Sequence, residues 1–365
     1  MTSSKTGFPK IALAGGYTAG HVMPMLAVAE AWERRFPGSV PLFLGEKGGF
    51  EADLLDRLGH VLHGVPGRPL HGVTGVFGRL ASYGAVLGGM IAARRVLRRE
   101  KAALVLGFGA YATAGILLGG RSLGLPTAIY EANVLPGLTN RRLARHVDLR
   151  FVNWAETCGQ KGWEDALAVG LPVRRGVIEA AAARRIGNHP TWRLLVTGGS
   201  LGSAFLNRVL PPLAARLKSG GMALDILHQA GRGQEGAVAA AYAARGIAAR
   251  VEAFLDDMPA AWAWADAAIC AAGASTLAEV QARGLPVMVV PVAAVADGHQ
   301  DFNAAAFSAA TGHPWVREAD WDEDREARRL AGMLDGRGRD GKTVPQGDAA
   351  AEAIVDACAR RLGLG

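Results

Sequence analysis

The chain has 365 residues, half of them hydrophobic and a fifth charged, with 49 Gly and a formal net charge of +7. That is too long and too apolar for a disordered tail or a small stapled scaffold, and at about 100–200 residues per domain it predicts two globular domains. Glycine exceeds the roughly 26 of an average chain this long, yet no G-x-y period accounts for it, so a collagen-like rod is excluded.

In chain order, Lys10–Ala14 (KIALA) reads as a short buried strand, followed by GGYTAGH. Met25, Val28, Ala29, Trp32 and Phe36 then recur at helical spacing. Val40–Leu44, Leu104–Gly107 and Thr127–Tyr130 read as further strands. Gly170–Pro190 reads as a domain boundary, after which the pattern restarts at Arg193–Thr197 (RLLVT) with the turn GGSLG. Phe205, Leu206, Val209, Leu210, Leu213 and Leu217 mark the next helix face, and Ala223–Leu227, Ala267–Cys270 and Val287–Val290 are strands. Asp320–Arg329 reads as a charged surface segment, Gly336–Gly347 as a loop, and Ala349–Leu362 as a terminal amphipathic helix. Strands alternating with helices predict an α/β chain with parallel sheets.

The positive charge suits an anionic partner without choosing among nucleic acid, nucleotide and membrane surface. No aromatic-basic stripe supports nucleic acid. Cys158, Cys270 and Cys358 are far apart and form no C-x-x-C, which supports neither disulfides nor zinc and fits a reducing compartment. MTSSKTGFPK lacks the apolar core of a signal peptide, and the longest near-uncharged apolar stretches, Tyr83–Ala93 and Leu285–Ala296, fall short of the ~20 residues of a membrane span. A soluble or peripheral, cytoplasmic protein is expected.

Three Gly-rich turns follow strands: Gly15-Gly16-Tyr17-Thr18-Ala19-Gly20-His21, Gly107-Phe108-Gly109-Ala110-Tyr111, and Gly198-Gly199-Ser200-Leu201-Gly202. Glycine lets the backbone approach a ligand, and the helix that follows presents N–H groups and a positive dipole end to phosphate. None matches G-x-G-x-x-G or G-x-x-x-x-G-K-[ST], which disfavours a dinucleotide dehydrogenase and a P-loop NTPase. Plain tight turns explain any one of them; three together point to an anion-binding cleft. His21 reads either as a helix-terminal polar residue or as a general base or a hydrogen-bond donor to phosphate. Thr276-x-x-Glu279 reads as a capping box, with a carboxylate holding sugar hydroxyls as the other reading. Gln300 and Asn303 share a helix face and can donate and accept. Asp322-x-Asp324 has the spacing of a metal-using sugar transferase but lies in an acidic run, and reads as solvated charge. Phe77, Leu80, Leu87 and Ile91 form an apolar stripe followed by Arg94, Arg95, Arg98 and Arg99. The residues alone favour a buried helix with a snorkelling basic end over contact with an anionic leaflet.

Taken in order, these segments resemble the MurG family of peptidoglycan glycosyltransferases. GGYTAGHVMP, GFGAYATAG, YEANVLPGLTNR, GLPVR, TGGSLGSAFLN, HQAG, FLDDMPAAWAWADAAICAAGASTLAEVQARGLPVMVVP and GHQDFNA are similar to the family's motifs and collinear with them from about Ile11 to Asn303. The resemblance implies a GT-B fold, two Rossmann-like domains with parallel sheets facing across a cleft. It implies residues 1–172 as an acceptor- and membrane-facing domain, 173–348 as a UDP-sugar domain, and 349–365 as a helix returning to the first. It implies inverting, metal-independent, cofactor-free transfer of GlcNAc from UDP-GlcNAc to the C4 hydroxyl of lipid I, yielding lipid II and UDP at the cytoplasmic face of the plasma membrane. UDP-GlcNAc, lipid I, an anionic inner-leaflet surface and other cell-wall enzymes are the implied partners.

By motif, Gly199 and Ser200 would hold the donor diphosphate and Glu279 the ribose hydroxyls. The backbone of Leu255 would meet uracil, with Arg174 assisting, Thr18 would also bind the donor, and Gln300, with His299, would meet the GlcNAc hydroxyls. Gly15, Gly16, Gly20, Gly107, Gly109 and Tyr111 would face the acceptor diphosphate. His21 is the candidate base and Asn133 its partner near the acceptor hydroxyl; Glu131 is the other candidate base. Tyr17, Ala19 and Ala110 stand where the family usually has Gly, Tyr130 and Ala132 replace a His and a Gln, Leu171 replaces an Asn, and Ala271-Ala272-Gly273-Ala274 replaces R-S-G-A. The first six departures fall mostly on the acceptor side. They leave open a related transferase with another lipid or natural-product acceptor, and a cell-wall scaffold protein without turnover.

Overall fold

The computed structural model describes residues 8–16, 19–46, 50–67, 75–182, 191–199, 201–293, 298–337 and 347–364. The chain divides into two compact units, Met1–Arg174 with Gly347–Gly365, and Arg175–Gln346.

The first unit alternates strand and helix: β1 (Lys10–Ala14), α1 (Ala19–Arg35), β2 (Leu42–Gly45), α2 (Phe50–Arg57), β3 (Leu62–Gly64), α3 (Gly75–Arg99), β4 (Ala102–Gly107), α4 (Tyr111–Arg121), β5 (Thr127–Glu131), α5 (Leu138–Leu143), β6 (Leu149–Val152) and β7 (Leu167–Ala168). The described strands form a seven-stranded sheet in the order β3-β2-β1-β4-β5-β6-β7, and each pairing is parallel. KIALA can sit centrally because its apolar residues are buried on both faces, as a parallel strand under two helix layers requires. Met25, Val28, Ala29, Trp32 and Phe36 of the α1 stripe are all buried.

The second unit comprises α6 (Arg175–Ala182), β8 (Trp192–Thr197), α7 (Ala204–Ser219), β9 (Leu224–Gln229), α8 (Glu235–Ala243), β10 (Ala249–Glu252), α9 (Met258–Trp264), β11 (Ala267–Cys270), α10 (Ala274–Arg283), β12 (Val287–Val289), α11 (His299–Thr311) and α12 (Glu323–Gly332). Its described strands form a five-stranded sheet, β10-β9-β8-β11-β12, again parallel throughout. Leu206, Leu210, Leu213 and Leu217 of α7 pack with Leu194, Val196 and Ile226 of the sheet in one core. Each such fully buried side chain contributes about 1.5–3 kcal/mol of apolar burial.

The last helix, α13 (Gly347–Arg361), lies against α1 in the first unit. Ile354, Val355 and Cys358 are buried there, and Arg34–Asp348 at 2.6 Å and Arg361–Asp148 at 2.9 Å fasten its two ends.

Three sequence expectations need correction. Asp320–Arg329 is not a plain surface segment. It contains most of α12, whose Ala327 and Leu330 pack into the second core, and Glu326 is fully buried between Arg325 and Arg329. Val40 is 60% exposed, and β2 starts at Leu42. Of the apolar stripe of α3, Leu87 and Ile91 are exposed rather than buried, as is Tyr83 one turn before Leu87. Helix α3 instead packs on α4 through glycines. A Cβ at Gly89 would stand 2.6 Å from the Pro66 oxygen, and one at Gly115 or Gly119 3.0 Å from the Val86 or Met90 oxygen. The side chains of Phe77 and Leu80 lie outside the described residues.

Candidate active site

In a doubly wound parallel sheet, ligands bind beyond the carboxyl ends of the strands where the strand order reverses. In the first unit that point lies between β1 and β4, which pair with Ala14 opposite Gly107. The first and second Gly-rich turns leave the sheet there, side by side. The Phe108 N–H donates to the Ala14 oxygen at 2.7 Å, and the Thr113 hydroxyl donates to the Gly109 oxygen. Gly107 has no room for a side chain, since a Cβ would press into Thr113 and Leu117.

His21 stands in the first turns of α1, with Nδ1 2.9 Å from the Gly16 oxygen. A carbonyl only accepts, so Nδ1 carries the proton, and in the neutral ring Nε2 carries the lone pair. That nitrogen faces the second turn: a Cβ on Gly109, at φ +99°, would stand 3.0 Å from it. The two turns together therefore fix the His21 ring, with Nδ1 on the first turn and Nε2 directed at the second. Gly16 accepts from the ring, a Cβ on Gly15 would stand 3.8 Å from the His21 backbone oxygen, Gly20 immediately precedes His21, and Tyr111 opens α4 after Ala110. Tyr17 and Thr18 lie outside the described residues.

The segment after β5 brings Glu131 and Asn133 together. The buried Glu131 carboxylate accepts from the Asn133 N–H at 3.0 Å and its side-chain amide at 3.1 Å on one oxygen. Its other oxygen accepts from the Gly137 N–H at 3.0 Å and the Asn140 amide at 2.9 Å. A carboxylate engaged by four N–H groups in this way holds the loop after β5 in one conformation. Thr157, Gln160 and Asn153 hold the same loop through the Val134 and Ala132 oxygens. Asn133 is thus positioned from several sides. Nothing in the sequence marked Glu131 as the residue that holds this loop.

In the second unit the order reverses between β8 and β11. The turn after β8 is closed by backbone. Gly199, at φ +80°, donates to the Thr197 hydroxyl at 3.1 Å and accepts from the Gln229 amide at 2.6 Å. A Cβ on Gly198 would overlap Ser203, and one on Gly202 would overlap the Ala230 carbonyl. Ser203 caps α7, accepting from the Leu206 N–H at 3.3 Å. Ser200 lies outside the described residues.

Beside it, the turn after β11 is organised from α11. Gln300 Oε1 accepts from the N–H groups of Ala272 at 3.0 Å and Val292 at 2.9 Å, and the buried Asn303 amide donates to the Ala272 oxygen at 3.1 Å. Gln300 and Asn303 do share one helix face. His299 precedes them, and Gly298 at φ +62° makes the entry to the helix.

Glu279 is not part of a capping box. Helix α10 begins at Ala274 with Gly273 as its N-cap, so Thr276 and Glu279 lie inside the helix. The Glu279 carboxylate instead accepts from the Trp262 indole N–H at 2.6 Å. Leu255 is buried between β10 and α9, and Asp257 caps α9 by accepting from the Ala260 N–H at 2.9 Å. Arg174 is half-buried immediately before α6. Asp322 caps α12 and Asp324 pairs with Arg216 at 2.6 Å, so both have structural roles.

Behind the turn after β8, His228 is fully buried, with Nδ1 3.0 Å from the Tyr242 hydroxyl, and burial pushes its pKa down to about 4. Burial likewise pushes the Cys270 and Cys358 thiols up to about 12, which leaves them unreactive.

Residues 11–151 match the glycosyltransferase family 28 N-terminal domain and residues 193–337 its C-terminal domain. The UDP-N-acetylglucosamine–N-acetylmuramyl-(pentapeptide) pyrophosphoryl-undecaprenol N-acetylglucosamine transferase of Nitratidesulfovibrio vulgaris Hildenborough is 36% identical over 360 residues, 95% of this chain and 96% of that protein. The enzyme of the same name from Sorangium cellulosum is 39% identical over 88% of this chain and 79% of its own length. The crystal structure of Acinetobacter baumannii MurG superposes with a TM-score of 0.75 at 26% identity, covering 97% of this chain and 100% of that one.

Proposed function

The chain belongs to glycosyltransferase family 28, within the pyrophosphoryl-undecaprenol N-acetylglucosamine transferases, and we propose that it carries out their reaction: transfer of GlcNAc from UDP-GlcNAc to N-acetylmuramyl-(pentapeptide) pyrophosphoryl-undecaprenol, lipid I, giving lipid II and UDP. Its two sheets have the doubly wound α/β architecture of the GT-B fold. What supports the reading is that paired turns stand at the switch point of each sheet, in a chain alike to these transferases along most of its length.

The acceptor-side chemistry falls to the first unit. His21 Nε2 takes the proton from the C4 hydroxyl of the acceptor sugar as the oxygen attacks the anomeric carbon of GlcNAc, from the face opposite UDP, so that configuration inverts. Asn133, fixed by Glu131, orients the hydroxyl. The glycines of the first two turns and the start of α4 accommodate the lipid diphosphate. The donor-side chemistry falls to the second unit. The N–H groups at the start of α7, with Gly199 and Ser200, stabilise the negative charge that develops on the leaving UDP. Glu279 binds the ribose hydroxyls, the backbone at Leu255 meets uracil with Arg174 assisting, Thr18 contributes to donor binding, and Gln300 and His299 meet the GlcNAc hydroxyls.

No helix among the described residues is long and apolar enough to cross a membrane. Access to a lipid-anchored acceptor is supplied in this reading by α3, whose exposed Tyr83, Leu87 and Ile91 adjoin exposed Arg95 and Arg98. Such a face can rest on an anionic leaflet, the cytoplasmic one. The test is radiolabelled UDP-GlcNAc offered with lipid I and without acceptor, each with and without EDTA. Labelled lipid II in both lipid I arms is expected. Donor binding without transfer to lipid I would overturn the acceptor assignment in favour of another lipid diphosphate.

A further inference from the structure

Glu279 lies in the second turn of α10, half-buried, and a glutamate there would ordinarily sample several rotamers. Here it does not stand alone. Trp262 projects from α9, 1% exposed, and its indole N–H, a donor with no acceptor capacity, ends on Glu279 Oε2 at 2.6 Å. A charge-assisted bond of that length is among the stronger ones a side chain makes, and it fixes the carboxylate's direction. The backbone of Trp262 is held in turn: Arg283, one helical turn beyond Glu279 and on the same face of α10, donates from Nε to the Trp262 oxygen at 3.2 Å. Burial holds the Arg283 guanidinium below its ordinary pKa while the buried Asp266 pulls the other way. Helix α9 also begins directly after the Leu255–Asp257 segment, its first turn capped by Asp257.

We propose that Trp262 is a positioning residue for the donor's ribose: its indole N–H orients the Glu279 carboxylate toward the ribose diol, and α9 couples the ribose contact to the uracil contact at its N-terminal end. This rests on the reading of Glu279 as the ribose ligand. One N–H occupies one of about four lone-pair positions of a carboxylate, so an orienting bond is compatible with acceptance from two sugar hydroxyls. The proposal separates from mere core packing, because a phenyl ring at position 262 keeps the apolar contact of α9 and removes the donor.

The test compares UDP with 2′,3′-dideoxy-UDP by calorimetry in the full chain, for wild type, Trp262→Phe, Glu279→Ala and the double variant. Wild type is expected to prefer UDP by at least about tenfold, and Glu279→Ala to abolish the preference. Trp262→Phe should reduce the preference by about fivefold with dideoxy-UDP affinity within about twofold of wild type, and should add nothing in the Glu279→Ala background. A Trp262→Phe variant with the wild-type preference, or one weakened equally for both ligands, would overturn the positioning role while leaving Glu279 as the ribose ligand. A wild type indifferent to the diol, or an unchanged preference in Glu279→Ala, would overturn the ribose reading itself and the inference with it.

Discussion

The turn after β4 in the first unit and the turn after β8 in the second solve one geometric problem in different ways. Both leave a central parallel strand at a switch point and lead into a helix, and both need residues at positive φ. After β8 those residues are Gly199 and Gly202, and loop backbone crowds in so closely that a Cβ at Gly202 would overlap the Ala230 carbonyl. After β4 one of them is Ala110, at φ +72° and ψ 167°, as the N-cap of α4. That region is essentially reserved for glycine, and an alanine there stores about 1–3 kcal/mol of strain. In the second unit's turn glycine is therefore required by crowding at Gly202 and by backbone conformation alone at Gly199. The first unit's turn tolerates a side chain only because its surroundings overdetermine it: Phe108 N–H on the Ala14 oxygen, and the Thr113 hydroxyl on the Gly109 oxygen.

If the first unit's turns serve the base and the second unit's serve the leaving group, variants should divide by unit. The largest effect is expected at His21. His21→Ala should lower turnover with lipid I by about a thousandfold, within the range of general-base removal, while UDP affinity measured by calorimetry stays within about twofold. Near-normal turnover would remove His21 as the base.

Next comes the steric claim for the second unit. Gly202→Ala should destabilise that unit by about 3 kcal/mol in urea unfolding, because it adds both a positive-φ alanine and a backbone overlap. Gly233 is the internal control, with φ +77° but nothing within 4 Å of an added Cβ. Gly233→Ala should cost only about 1 kcal/mol. Equal costs at the two positions would show that crowding is not what excludes a side chain from the β8 turn.

The units should also differ in acid. His228, buried in the second core, has a folded pKa of about 4 against an ordinary value of 6.5. The unfolded chain therefore takes the proton first. Its contribution is fully present above pH 6.5, falls as pH drops toward 4, and changes no further below that. Between pH 7.5 and 5 the second unit should lose about 2 kcal/mol through this group, and His228→Leu should remove that part of the pH slope in urea unfolding. An unchanged slope would mean that the ring does not stay neutral in the folded core.

How much of this was legible in the sequence follows from burial. KIALA, RLLVT and AAIC are apolar runs because strands β1, β8 and β11 are covered on both faces, and such strands announce themselves. Strands β3, β7 and β10 lie at sheet edges with half-buried or exposed residues, and LHG, LA and ARVE carry no such signal. The Gly turns were legible because glycine is costly unless the backbone needs it. The shared face of Gln300 and Asn303 was legible as a spacing, though not that both reach Ala272. Glu279 was misread because Thr-x-x-Glu matches a cap, whereas the chain enters α10 at Gly273, three residues earlier. Its bond to Trp262, like the four N–H groups on Glu131, joins residues whose proximity only the fold creates.

The smallest effect is the most direct test of the contrast between the turns. Ala110→Gly removes the Cβ that makes φ +72° unfavourable and should recover part of the stored 1–3 kcal/mol. Against this stands the greater freedom of glycine in the unfolded chain, which costs about 0.5–1 kcal/mol. The net expectation is a stabilisation of about 1 kcal/mol, or roughly 2–4 °C in the Tm of the first unit by scanning calorimetry. The same replacement after β8 has no counterpart, since glycine already stands there. If Ala110→Gly leaves Tm unchanged or lowers it, the strain is relaxed in solution, and the second turn is held open by the Thr113 and Phe108 hydrogen bonds alone. If Tm rises while turnover with lipid I falls, the rigid alanine turn is itself what keeps Gly109 against His21 Nε2, and the departure from glycine at that position is functional.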